Sequence, residues 1–207
     1  MLVLLFVGSY CRNCTCCSHP TCFMATVPHI VSFDPYTGEK IENLGGQGYS
    51  GDSVWSRGQS WALYGFSIAY RETGDLEYLK VAEAIGDWIW EHFPEDLVPY
   101  WDFSAPEETR YARDSSAAAC MASGYLELSS LEKSEEKKAR YQDQAEQMLK
   151  SLLENYVDFS GENQGILQKG TVSFPDDRHI NVPIIYGDYF LLEALMKLTN
   201  PDFTRIF

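Results

Sequence analysis

The sequence lacks an apolar run long enough to cross a bilayer. Its apolar opening, Leu2 to Val7, is six residues long, whereas a transmembrane helix needs about 20. No basic residue precedes that stretch, so it is also poorly built as a secretory signal. Positive charge is scarce as well. There are 16 Lys and Arg against 30 Asp and Glu, for a formal net charge of −14. Such a chain repels nucleic acid and anionic membranes at long range, and neither is expected as a partner. It repels acidic ligands too, so an acidic ligand would need a local basic pocket. Cysteine is almost missing after residue 22. Cys11, Cys14, Cys16, Cys17 and Cys22 crowd the start, and only Cys120 follows. A zinc site built on the Cys11-x-x-Cys14 pair needs a second ligand pair farther along. His19 and Cys22 stand too close for a standard knuckle, so no metal is expected there. Cys120 sits in an apolar helical stretch as a buried thiol. Gly45 to Gly48 lacks the preceding buried strand and immediate helix of a dinucleotide loop. No repeat of the tetratricopeptide kind is present.

What remains is ordinary globular material with an aromatic surplus. Hydrophobic residues make up 45%, charged residues 22% and aromatics 14%, which excludes disorder and collagen-like repeats. The aromatics fit a carbohydrate cleft and a bulky helical core equally well. At 207 residues the chain has enough length for one core or part of a larger one. Two regions are expected: residues 1–27, an atypical Cys-rich leader that is disordered or a misassigned start, and residues 28–207, the ordered body. The leader gives no address, which leaves the compartment open with a lean to the cytoplasm.

The body reads as helical hairpins joined by long loops. His29 to Phe33 is expected to be extended, and Asp34 to Gly38 has turn chemistry. Helical spacing predicts α-helices over Ser56–Thr73, ended by Gly74-Asp75, and over Leu76–His92, stopped by Pro94. Asp114, Ser115 or Ser116 can cap a third helix from Ala117 to about Leu131. A charged fourth helix covers Glu135 to Tyr156, and a fifth runs from near Tyr186 to Leu198. Roughly thirty loop residues lie between the last two. Long loops at one end of a helical array are where a cleft is built.

One segment concentrates chemistry, Gln47 to Trp61. Arg57 and Trp61 are one helical turn apart and project on one face. Arg57 offers a planar fork of donors that fits a carboxylate, and Trp61 offers a flat apolar ring. Together they suit an acidic sugar. An Arg stacked on a Trp within a core is the alternative that the residues leave open.

The stretch from Gly46 to Phe66, G-Q-G-Y-S-G-D-S-V-W-S-R-G-Q-S-W-A-L-Y-G-F, resembles glycoside hydrolase family 88, the unsaturated glucuronyl hydrolases. Tyr100-Trp101-Asp102-Phe103 with Ala105-Pro106, Asp114 to Ala119 with Ser123-Gly124, and Val182 to Tyr189 resemble further motifs of that family in the same order. The resemblance covers residues from about 28 to 200. It implies an all-α fold, part of an (α/α)6 six-hairpin barrel with long loops and little or no strand. It also implies a hydrolase that acts, with no metal or organic cofactor, on oligosaccharides left by polysaccharide lyases. An Asp protonates the C4=C5 vinyl ether of the terminal uronate, water adds at C5, and the hemiketal rearranges to release the remaining saccharide. The expected ligand is an unsaturated uronate-terminated oligosaccharide derived from glycosaminoglycans or related polysaccharides. By matching position, His29, Gln47, Trp55, Arg57 and Trp61 are expected to bind substrate. Gln47 would meet sugar hydroxyls, Trp55 and Trp61 would form walls, and Arg57 would take the uronate carboxylate. Asp52 is expected to be structural, and Asp114 a helix cap.

Departures from the family set the remaining expectations. The resemblance places the two essential aspartates upstream of the residue matching His29, and residues 1–28 contain none. The catalytic residues are therefore expected to be absent, with about half the barrel, and the chain to be inactive alone. Exposed half-barrel faces would promote instability or self-association. Gly45-Gly46 stand where relatives often carry Thr and His, and Arg178 where small polar residues are common, which bears on sulfated sugars. A non-catalytic carbohydrate-binding remnant and an unsaturated rhamnogalacturonyl hydrolase relative are the rival readings.

Overall fold

The computed structural model describes residues 25–200 and residue 203. The Cys11 to Cys22 cluster and nearly all of the expected 1–27 leader lie outside the described residues. The body is mostly helical, with five α-helices and one small hairpin. The hairpin pairs β1 (Ile30–Phe33) antiparallel with β2 (Lys40–Leu44). Its turn is held by Asp34, whose carboxylate accepts from the backbone of Tyr36 and Thr37, both at 2.8 Å.

The helices are α1 (Ser56–Thr73), α2 (Leu76–His92), α3 (Ser115–Leu131), α4 (Glu135–Asn155) and α5 (Ile185–Thr199). Local chemistry sets their ends. Gly74 takes a left-handed φ of 69° and returns its N–H to Tyr70 O, closing α1. Asp75 caps α2 through Glu77 N, and Ser134 caps α4 through Lys137 N. The third helix starts two residues earlier than expected, because Asp114 takes the capping role and leaves Ser115 as the first helical residue.

Packing produces two layers. α3 lies between α1 and α5, α2 packs behind α1, and α4 packs behind α3. Being covered on all sides, α3 is buried from Ser115 to Ser129, which its run of Ala, Ser and Gly permits. A Cβ at Gly124 would lie 3.0 Å from Leu63 and 3.2 Å from the Tyr64 backbone, so α1 and α3 approach closely there. The core joins Leu63, Ile85, Ile89, Met121, Leu128, Met148 and Leu152, all fully buried. Each such side chain contributes roughly 1.5–3 kcal/mol by leaving water. One side of α5 stays exposed at Ile185, Leu192 and Met196, a surface of the kind that self-association would use. Among the described residues, no helix is long and apolar enough to cross a membrane.

The inner helices run in the same direction. Arg57, Asp114 and Tyr186 meet at their N-terminal ends, while Arg71, Glu127 and Lys197 meet at their C-terminal ends. Three helix N-termini therefore share one end of the fold, where their partial positive charges favour an anion.

Candidate functional site

The shared N-terminal end is roofed by loops, and Trp55 opens it. This residue enters α1 in extended conformation and pairs backbone-to-backbone with Asp102. Asp102, fully buried, accepts from Tyr49 N at 2.9 Å, Ser53 Oγ at 2.8 Å and Ser104 N at 2.8 Å. It welds the Gly-rich loop to the Trp101 loop. The residue signal for this role was only the Trp101-Asp102-Phe103 motif.

Arg57 is 2% exposed. One guanidinium nitrogen donates to Thr171 O at 2.9 Å and Val172 O at 2.7 Å, and the other donates to Tyr186 Oη at 2.5 Å. Its Cζ lies 4.7 Å from the Trp55 ring centroid and 5.1 Å from that of Tyr186, so two aromatic faces flank the cation. Asp114 Oδ2 stands 3.8 Å away. Its other oxygen caps α3 and accepts from Ser116 Oγ.

The Val172 carbonyl is a junction. It also accepts from Gln47 Nε2 at 2.6 Å, tying the glycine-rich loop to the strap around residues 170–182. The Gln47 backbone N–H reaches His29 Nδ1 at 2.9 Å, and Gly45 O lies 3.0 Å from the same nitrogen. One nitrogen cannot accept from the first and donate to the second. The Gln47 N–H has to donate, so Nδ1 is assigned as the acceptor and Nε2 carries the proton. Burial lowers the His29 pKa, helped by the Arg57 charge and opposed by Gly45 O, which keeps the ring neutral at pH 7. Gly46 takes φ +54°, and a Cβ there would lie 2.4 Å from His29 Nδ1. A side chain at Gly46 would therefore be strained by the backbone and would press on the His29 ring.

The five expected site residues therefore come together in two depths. The His29 ring meets Trp55 at a 45° tilt with centroids 4.1 Å apart, and Trp61 meets Trp55 edge-on at 5.3 Å. Trp61 is 41% exposed, whereas Trp55 is only 2% exposed. Trp55, expected as a wall, is packed between His29 and Arg57 and carries the cation over its ring. Arg57 differs from a side chain open to a carboxylate, since carbonyls of distant residues have claimed its donors. His29 and Gln47 are partly buried. Asp52 accepts from Asn43 Nδ2 and fastens β2 to the loop. Tyr186 was not singled out as a site residue in the sequence, although it lies in the Val182 to Tyr189 motif. Among the described residues, no group of three or more His, Cys, Asp or Glu side chains is placed to hold a metal ion.

No family model matches the chain. An unsaturated glucuronyl hydrolase of Formosa agariphila is 37% identical over 179 residues, which is 84% of this chain and 44% of that protein. The crystal structure of the unsaturated glucuronyl hydrolase of Bacillus sp. GL1, responsible for the degradation of glycosaminoglycan, superposes with a TM-score of 0.82. It is 35% identical, with 86% of this chain and 48% of that one covered. An Asp-to-Asn variant of the Streptococcus agalactiae enzyme, complexed with dGlcA-GalNAc6S, superposes with a TM-score of 0.73 at 31% identity, covering 86% and 48%. The chain thus spans about half the length of the relatives it matches.

Proposed function

Because the chain is homologous to unsaturated glucuronyl hydrolases over about half their length, we propose that residues 28–200 form the sugar-binding side of a site of that type. The reaction is hydration of the C4=C5 vinyl ether of an unsaturated uronate at the non-reducing end of a lyase-generated oligosaccharide. Trp61 supplies the apolar platform for the ring, and His29 and Gln47 face its hydroxyls. Arg57 supplies fixed positive charge where three helix N-termini converge.

The observation that carries this reading is the buried Arg57 one helical turn from the exposed Trp61 at that shared end. A second observation bears on turnover. Asp52, Asp102 and Asp114 each anchor the scaffold through at least one oxygen, and Asp114 Oδ2, which accepts no hydrogen bond, stands 3.8 Å from the Arg57 cation. With only about half the length of its relatives present, we expect the 207-residue chain alone to bind the sugar without hydrolysing it. The direct assay follows the ultraviolet absorbance of an unsaturated chondroitin disaccharide. Loss of that absorbance with this chain would overturn the expected inactivity. Calorimetry with the same disaccharide tests binding, and no heat from folded protein would remove the sugar-binding reading.

A further inference from the structure

Resting on that uronate reading, we propose that the Tyr186 hydroxyl, and not the Arg57 guanidinium, is the donor that meets the ligand carboxylate. Arg57 is almost wholly buried. One of its terminal nitrogens is committed to the carbonyls of Thr171 and Val172, and the other to Tyr186 Oη at 2.5 Å. Turning the fork toward a ligand would strip those carbonyls of a charged donor, at a cost comparable to what the new contact returns. The charge stays where it is.

Tyr186 is placed to pass that charge on. It lies in the first turn of α5 and is half-buried. A phenolic oxygen can accept and donate at once. Here it accepts from Arg57, and among the described residues it makes no other hydrogen bond, so its own proton is left for a ligand. Accepting from a cation polarises the O–H and strengthens it as a donor. Burial raises the Tyr186 pKa, Arg57 opposes this and Asp114 adds to it. The group accordingly stays protonated at neutral pH, as a donor to an anion must. Two rings hold the relay straight: Trp55 and Tyr186 flank the guanidinium. This geometry makes Tyr186 a specificity-determining residue, selecting a carboxylate at the sugar C5 over a neutral hydroxymethyl group.

The test is calorimetry on the full 207-residue chain with an unsaturated chondroitin disaccharide and its carboxyl-reduced analogue. Tyr186→Phe keeps the ring beside Arg57 and removes only the hydroxyl. It should weaken the uronate disaccharide about tenfold and leave the reduced sugar unchanged. A purely structural role would weaken both alike, and that result overturns the proposal. Equal uronate affinity in Tyr186→Phe and the parent chain overturns it while leaving the uronate reading intact. If the parent chain binds neither sugar, or both equally, the two readings fall together. Should thermal melting show Tyr186→Phe unfolded, Tyr186→Gln supplies the second arm. Its amide can accept from Arg57 and donate outward, so it should keep preference for the carboxylate; loss of that preference in folded protein counts against the relay.

Discussion

The two ends of the inner helix layer bury charge in opposite ways. At the C-terminal end, two cations meet two carboxylates. Glu127 takes Arg71 on one oxygen and Lys197 at 3.0 Å on the other, and Lys197 also lies 3.6 Å from Glu193. Glu193 further accepts from Tyr64 Oη at 3.0 Å, Tyr189 Oη at 3.3 Å and Ser123 Oγ. Arg71 also pairs at the surface with Glu72, and the buried part of the network, two cations against two carboxylates, ties α1, α3 and α5 together. At the N-terminal end a single guanidinium is held by carbonyls, a hydroxyl and ring faces, with its nearest carboxylate 3.8 Å off. Neutral acceptors satisfy the donors, and the Asp114 carboxylate offsets the charge only across 3.8 Å, without a hydrogen bond to it. An end built in that way retains attraction for an anion in a chain whose overall charge is strongly negative.

The sharpest way to break this comparison is to remove the cation at the N-terminal end. Arg57→Met should cost about 3–5 kcal/mol, because it leaves the Thr171 carbonyl, the Tyr186 hydroxyl and the Asp114 carboxylate without their cationic neighbour. Urea denaturation reads the loss. The opposite end should give way less. Glu193→Gln leaves Lys197 paired with Glu127 and lets the surrounding hydroxyls reorient, for about 2 kcal/mol. The same variant should lower the Tyr64 pKa, which burial and then Glu193 hold well above the usual tyrosine range; ultraviolet pH titration follows it. A larger cost for Glu193→Gln than for Arg57→Met would refute the contrast between a singly paired and a redundantly paired charge. Smaller again is Gly46→Ala. Its left-handed backbone and the contact with His29 predict about 1–2 kcal/mol of strain. The effect should appear with a shift of the His29 ring resonances by NMR, and unmoved resonances would place His29 away from that loop.

The fold was more legible than the site because its signals are local. Gly74-Asp75 and Pro94 bracket α1 and α2 to the residue, and Asp114 announces α3. β2 was missed for a physical reason. Lys40-Ile41-Glu42-Asn43-Leu44 is mostly exposed and presents no alternating apolar face; its place comes from pairing with β1 and from Gly51 packed on the Asn43 backbone. At the site, the spacing of Arg57 and Trp61 was visible, but their different depths were not. What separates them is Thr171, Val172 and Tyr186, more than a hundred residues downstream. No short-range pattern carries that information. The C-terminal network was hidden likewise, since Arg71, Glu127 and Lys197 lie on three different helices and no short-range pattern joins them.

The tie at the C-terminal end can be probed at its rim by pH. Glu132, at the C-terminus of α3, has its carboxyl pushed up to about 7 by burial and then by Glu83, while Lys137 pulls it the other way. The groups facing it are Glu83 on α2 with Asp87 beyond, and Lys137 and Arg140 on α4. In the unfolded chain a glutamate loses its proton near 4.5, so between about 4.5 and 7 the folded chain holds the extra proton. Stability must then fall as pH rises through that window and level off above it. Glu132→Gln, which cannot ionise, should flatten this part of the profile and make the chain more stable at pH 8 than the parent, though by little because the group is largely solvated. Melting temperature against pH for the two chains measures the difference. Parallel profiles would mean that the Glu83–Glu132 pair shares no proton, and that charge at this end is balanced only deeper in the layer.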